Sequence, residues 1–75
     1  MERKFNIGDT VKLKIGKRNR FHLLNGCTGV IRNYYLYPIP IEYEILITKD
    51  NGEKDFVVFN GHYLELIKNQ NKLEK

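Results

Sequence analysis

Ile41-Glu42-Tyr43-Glu44-Ile45-Leu46-Ile47-Thr48-Lys49-Asp50-Asn51-Gly52-Glu53-Lys54-Asp55-Phe56-Val57-Val58-Phe59 is the stretch that decides the fold. Ile41, Tyr43, Ile45 and Ile47 recur with a period of two, and Glu42, Glu44 and Thr48 fill alternate positions. Successive side chains of a strand point to opposite faces, so the pattern predicts a strand with one buried and one solvated face. Asn51-Gly52 is a hairpin signal, because glycine takes positive φ with no Cβ to clash. Residues 55–59 are aromatic and β-branched, as a returning strand requires.

The same period continues outward. Val11, Leu13 and Ile15 alternate with Thr10, Lys12 and Lys14 behind a Gly8-Asp9 turn. Thr28–Tyr35 reads as a strand entered through Gly26, and Gly29 inside it marks a bulge or sharp bend. Asn60-Gly61 breaks the fourth strand, and a turn of helix around His62-Tyr63 leads to a last strand at 64–67. Val11, Leu13, Ile15, Val30, Tyr43, Ile45, Ile47, Leu64 and Leu66 are expected inside, with Phe5 closing one end. Five short strands cannot bury two wide sheets, so the expected fold is all-β, a small and strongly bent five-stranded barrel. Residues 1–67 form its single domain, and 68–75 read as a flexible polar tail.

Seventy-five residues allow one domain at most. At this size folding removes only about 60% of the unfolded surface, so staples are the usual remedy. Cys27, the one cysteine, cannot make an internal disulfide, and two histidines beside it are too few for a zinc site. No metal, cofactor or small-molecule ligand is expected. The N-terminal residues lack the apolar core of a signal peptide, and no run reaches the ~20 apolar residues of a membrane span. With a single free thiol, the expectation is a cytoplasmic protein with no membrane partner.

The net charge of +4 is unevenly placed. Residues 1–37 carry eight Lys/Arg against Glu2 and Asp9, whereas 38–75 carry five Lys against seven acids. Such asymmetry suits an acidic partner. The sharpest feature is the segment 16–25, where Lys17, Arg18 and Arg20 adjoin Phe21 and His22. Cations neutralise phosphates or carboxylates, arginine offers a planar fork, and an aromatic stacks on a base or fills a pocket. The alternative is a solvated loop whose Phe21, Leu23 and Leu24 fold back as a lid. Lys12 and Lys14 extend the basic track on the outer face of the first strand, or serve as solubilising residues. Tyr35 and Tyr37, near Tyr34 and two prolines, offer an interface aromatic cluster. Alternation turns at least one of Tyr34 and Tyr35 outward.

Catalytic constellations are thin. Glu42 and Glu44 share a strand face but sit on a solvated one, far from acid–base conditions. Cys27 with His22 or His62 lacks an orienting third group, and no phosphate-binding glycine loop is present. The chain reads as no enzyme.

Phe5-Asn6-Ile7-Gly8-Asp9-Thr10-Val11-Lys12-Leu13 resembles the opening of the SH3-like barrel superfamily, and Gly26-Cys27-Thr28-Gly29-Val30-Ile31 resembles the Gly-x-x-Gly-Val element of its KOW-type domains. The second half is similar to the small accessory barrels of photosystem I and to the variable-chain-like barrels of ferredoxin–thioredoxin reductase. The likeness spans about residues 5–67. Residues 16–25 are a longer, basic insertion relative to the KOW pattern. Members occur in phages and mobile elements, and they bind proteins, RNA or DNA. The resemblance therefore implies a binding module with one of two ligands. Nucleic acid is the leading expectation, through Lys12, Lys14, Lys17, Arg18, Arg20, Phe21, His22, Tyr35 and Tyr37. A docking surface for an acidic protein is the alternative.

Overall fold

The computed structural model describes residues 4–37, 39–49 and 51–68. They form one antiparallel sheet of five strands: β1 (Thr10–Leu13), β2 (Thr28–Tyr35), β3 (Glu42–Thr48), β4 (Lys54–Asn60) and β5 (Leu64–Lys68). The spatial order is β4-β3-β2-β1-β5, so β4 and β5 are the edges. The only helical turns among the described residues are 3-10 turns at His22–Leu24 and Gly61–Tyr63. The first lies in the segment that the sequence leaves irregular. The second falls where Asn60 breaks β4, and the Asn60 side chain caps it by accepting from the His62 N–H at 2.8 Å. β5 includes Lys68, one residue beyond its expected end, and the rest of the expected tail lies outside the described residues.

The hairpin forms as its alternation demands. Tyr43, Ile45 and Ile47 are buried, while Glu42 and Glu44 are half-buried on the opposite face. Gly52 takes φ 89°, its N–H donates to the Lys49 carbonyl at 2.9 Å, and Lys49 donates back to Glu53 at 2.7 Å. Asn51 keeps an ordinary backbone and uses its side chain instead, accepting from the Glu53 N–H at 2.9 Å.

β2 corrects the expected core. Gly29 lies between Val11 and Ile47 in register, and an added Cβ would stand 2.6 Å from the Leu46 carbonyl oxygen. Glycine therefore occupies the inward position, and parity puts Ile31 inside and Val30 outside, opposite Leu46. A register shift between Ile31 and Asn33 resets the alternation. Tyr34 then faces the core opposite Tyr43, and Tyr35 turns outward opposite Glu42. Leu66 is a second correction. It pairs with Val11, yet 44% of it is exposed, because β5 is an edge and a shift between Thr10 and Val11 disturbs the pairing.

The rest of the core follows expectation and adds Ile31 and Phe59 to it. Phe5 is buried with its ring edge-on to Tyr43 at 5.3 Å. The Tyr43 hydroxyl, buried with the ring, accepts from the N–H groups of Lys4 at 2.9 Å and Phe5 at 3.3 Å. A buried polar group left without a partner is costly, so these bonds let a tyrosine fill a core position. The Asp9 carboxylate, also buried, accepts from the Asn6 N–H at 2.9 Å. The Asp9 backbone meanwhile pairs with Ile31, which fixes the Gly8-Asp9 turn against β2.

Candidate functional site

The segment 16–25 is built as a set of consecutive turns. The Asn19 N–H donates to Gly16, His22 to Asn19, Leu24 to Phe21 and Asn25 to His22, all between 2.9 and 3.1 Å. Two asparagines lock it. Asn19 accepts from the Phe21 N–H through its side chain at 2.8 Å, and Asn25 accepts from Ile15 at 2.9 Å. The second bond occupies the N–H of Ile15 just beyond the end of β1, although Ile15 itself stays buried. At the base, Gly26 (φ 88°) and Cys27 close on Leu13 with two bonds of 2.8 Å. Cys27 is half-buried against the core.

This scaffold sets Phe21 on top of β4. Its ring stands edge-on to Phe59, centroids 5.7 Å apart, and Phe59 in turn meets Tyr63 at 5.6 Å. The Arg20 guanidinium lies over the Phe21 ring at 5.2 Å, a cation–π contact. Two grooves flank this pair. One, of about 540 Å³, runs from Arg18 and Arg20 past Glu42 and Asn60 to Tyr63. The other, of about 500 Å³, is walled by Leu23 and Leu24 on the loop side and by Phe56 and Val58 on β4. Leu23, Phe56 and Val58 are 84%, 55% and 47% exposed, so its rim is apolar and open. Lys49 stands at one end with Asp55, bridged to it at 3.5 Å. Neither Arg18 nor Arg20 has a carboxylate partner among the described residues.

Of the expected site residues, the structure brings together Arg18, Arg20 and Phe21. Lys17 is exposed on the same loop but lines neither groove. His22 is exposed, and its Nδ1 lies 3.0 Å from the Asn19 carbonyl, where it braces the turn. Lys12 and Lys14 project from the outer face of β1, Lys12 opposite Glu65 of β5. Tyr35 donates its hydroxyl to Glu44 at 3.1 Å, a bond that raises its pKa above the ordinary 10.0. Tyr37 is 80% exposed and lines a separate small cleft with Leu36, Ile39 and Ile41. The lid alternative holds for Phe21 and Leu24, which pack inward, and not for Leu23.

Sequence reasoning did not reach Phe56, Val58, Asn60 and Tyr63. Phe56 and Val58 carry a readable signal, since two large apolar residues occupy the solvent face of an alternating strand. Among the described residues no group of three or more His, Cys, Asp or Glu side chains could hold a metal ion, and no helix is long and apolar enough to cross a membrane. Comparison of the chain with protein-family models, curated proteins and solved structures gives no significant match.

Proposed function

We propose that the protein is a non-enzymatic binding module of the SH3-like barrel kind that docks an acidic protein segment between the 16–25 loop and β4. Support for the barrel reading comes from the strand order, with β5 beside β1, and from the 3-10 turn just before the last strand. The reading of the site rests on one observation: two arginines without carboxylate partners adjoin an open apolar groove on a loop held by its own hydrogen bonds. A preformed site loses less ordering entropy on binding.

Protein is favoured over nucleic acid for two reasons. Glu42 stands in the same groove as Arg18 and Arg20, where it opposes phosphate. Phe21 has its ring covered by Arg20 and engaged by Phe59, which leaves less of it for a base. Leu23, Phe56 and Val58 gain from apolar side chains, which a protein supplies.

The test is a random-peptide display selection on the wild type, counter-selected on Arg18→Glu/Arg20→Glu, beside titrations with mixed-sequence single-stranded DNA and RNA. Acidic peptides that bind at moderate salt and lose affinity in the variant support the reading. Oligonucleotide binding that falls steeply with salt and is lost in the same variant, without peptide enrichment, assigns the site to nucleic acid instead.

A further inference from the structure

Beside the apolar groove runs the outer edge of β4. In the order β4-β3-β2-β1-β5 this strand is paired on one side only, by β3 from Thr48–Lys54 to Glu42–Asn60. The 16–25 loop leans over the edge through Phe21, yet no backbone hydrogen bond joins that loop to β4 among the described residues. Seven residues thus present backbone donors and acceptors along the floor of a groove whose walls are apolar. Folded proteins usually blunt such an edge with charge, proline or a bulge. Here charge occurs only at the start, Lys54-Asp55, and 56–59 is Phe-Val-Val-Phe with regular pairing throughout.

From this juxtaposition we infer that the partner segment binds as an added strand, pairing its backbone with the open edge of β4. The inference rests on the protein-docking reading above and names how that site is filled. Strand addition draws affinity from main-chain hydrogen bonds and specificity from alternate side chains. At about 3.3 Å per residue, a seven-residue edge accepts a partner stretch of about five to seven residues. Its groove-facing side chains are apolar, to meet Leu23, Phe56 and Val58. Its carboxylates lie toward the Asn60 end, where Arg18 and Arg20 line the adjoining groove. A second copy of this chain is a poor occupant, because at +4 it adds cations to an already cationic rim.

The experiment takes the tightest acidic peptide from the display selection and resynthesises it twice, with N-methyl groups on odd or on even backbone amides. Methylation removes a donor and crowds the pairing edge, and in a strand alternate amides face opposite sides. One series is expected to lose at least tenfold in affinity for the wild-type protein while the other stays within about threefold. Equal tolerance of both series, or equal loss in both, overturns strand addition while leaving the acidic-peptide site standing. If no peptide is enriched over the Arg18→Glu/Arg20→Glu control, with that variant shown folded by its thermal transition, the docking reading fails and this inference with it.

Discussion

Phe21 and Phe59 meet edge-on with centroids 5.7 Å apart, and that one contact ties the 16–25 loop to β4. Phe59 is buried, whereas Phe21 is 45% exposed and carries Arg20 over its ring. Phe21 is therefore at once the anchor of the loop and the ridge between the two grooves.

Phe21→Ala removes this anchor. The edge contact is worth about 0.5–1.5 kcal/mol beyond area burial, so urea unfolding is expected to show a small loss of stability. Binding of a selected acidic peptide should fall more steeply than stability, because Arg20 loses the ring that positions it. A variant that binds as well as the wild type removes Phe21 from the site.

The register of β2 separates two adjacent residues. Ile31→Ala is expected to cost about 2–5 kcal/mol, as for a fully buried aliphatic, and Ile45→Ala a similar amount. Val30→Ala, on the opposite face, should cost about 1 kcal/mol or less. Equal losses at 30 and 31 in chemical denaturation would contradict the placement of Gly29 inside.

Gly29→Val tests the close approach directly. A Cβ there meets the Leu46 carbonyl oxygen at 2.6 Å and the Ile45 Cγ2 at 2.7 Å, so the variant is expected to lose its cooperative thermal transition. Tyr43→Phe is the milder companion. It strips the acceptor from the Lys4 and Phe5 N–H groups, at about 1–3 kcal/mol, and leaves the ring packing in place.

The parts of this fold that were legible in the sequence are those set by local chemistry. Period-two alternation placed Tyr43, Ile45 and Ile47, and the Asn51-Gly52 pair marked the turn. What escaped was set by neighbours in space. Val30 and Ile31 are both β-branched and adjacent, and only the pairing of Gly29 with Val11 and Ile47 decides which one is inside. Leu66 continues a sound alternation but lies on an edge that leaves it exposed. The site was half legible for the same reason. Arg18, Arg20 and Phe21 are close together in the chain, whereas Phe56, Val58 and Tyr63 join them only through the fold.

Tyr35 offers a check by pH. Its hydroxyl donates to Glu44, which holds the phenol proton and raises the pKa above 10.0. A folded-state pKa above the unfolded one contributes stability at lower pH that is lost as pH rises through the raised value. Glu44→Gln should return Tyr35 toward 10.0 in an NMR-detected titration, and an unchanged midpoint would show that the bond does not persist in solution.

The central claim is that the ligand lies between the 16–25 loop and β4, and amide chemical-shift mapping with the tightest selected acidic peptide tests it most directly. The largest perturbations are expected at residues 56–60, at 20–23 and on the side-chain signals of Arg18 and Arg20. Perturbations centred on Lys12 and Lys14, or on the Leu36–Tyr37 tip, with 56–60 unmoved, would contradict it.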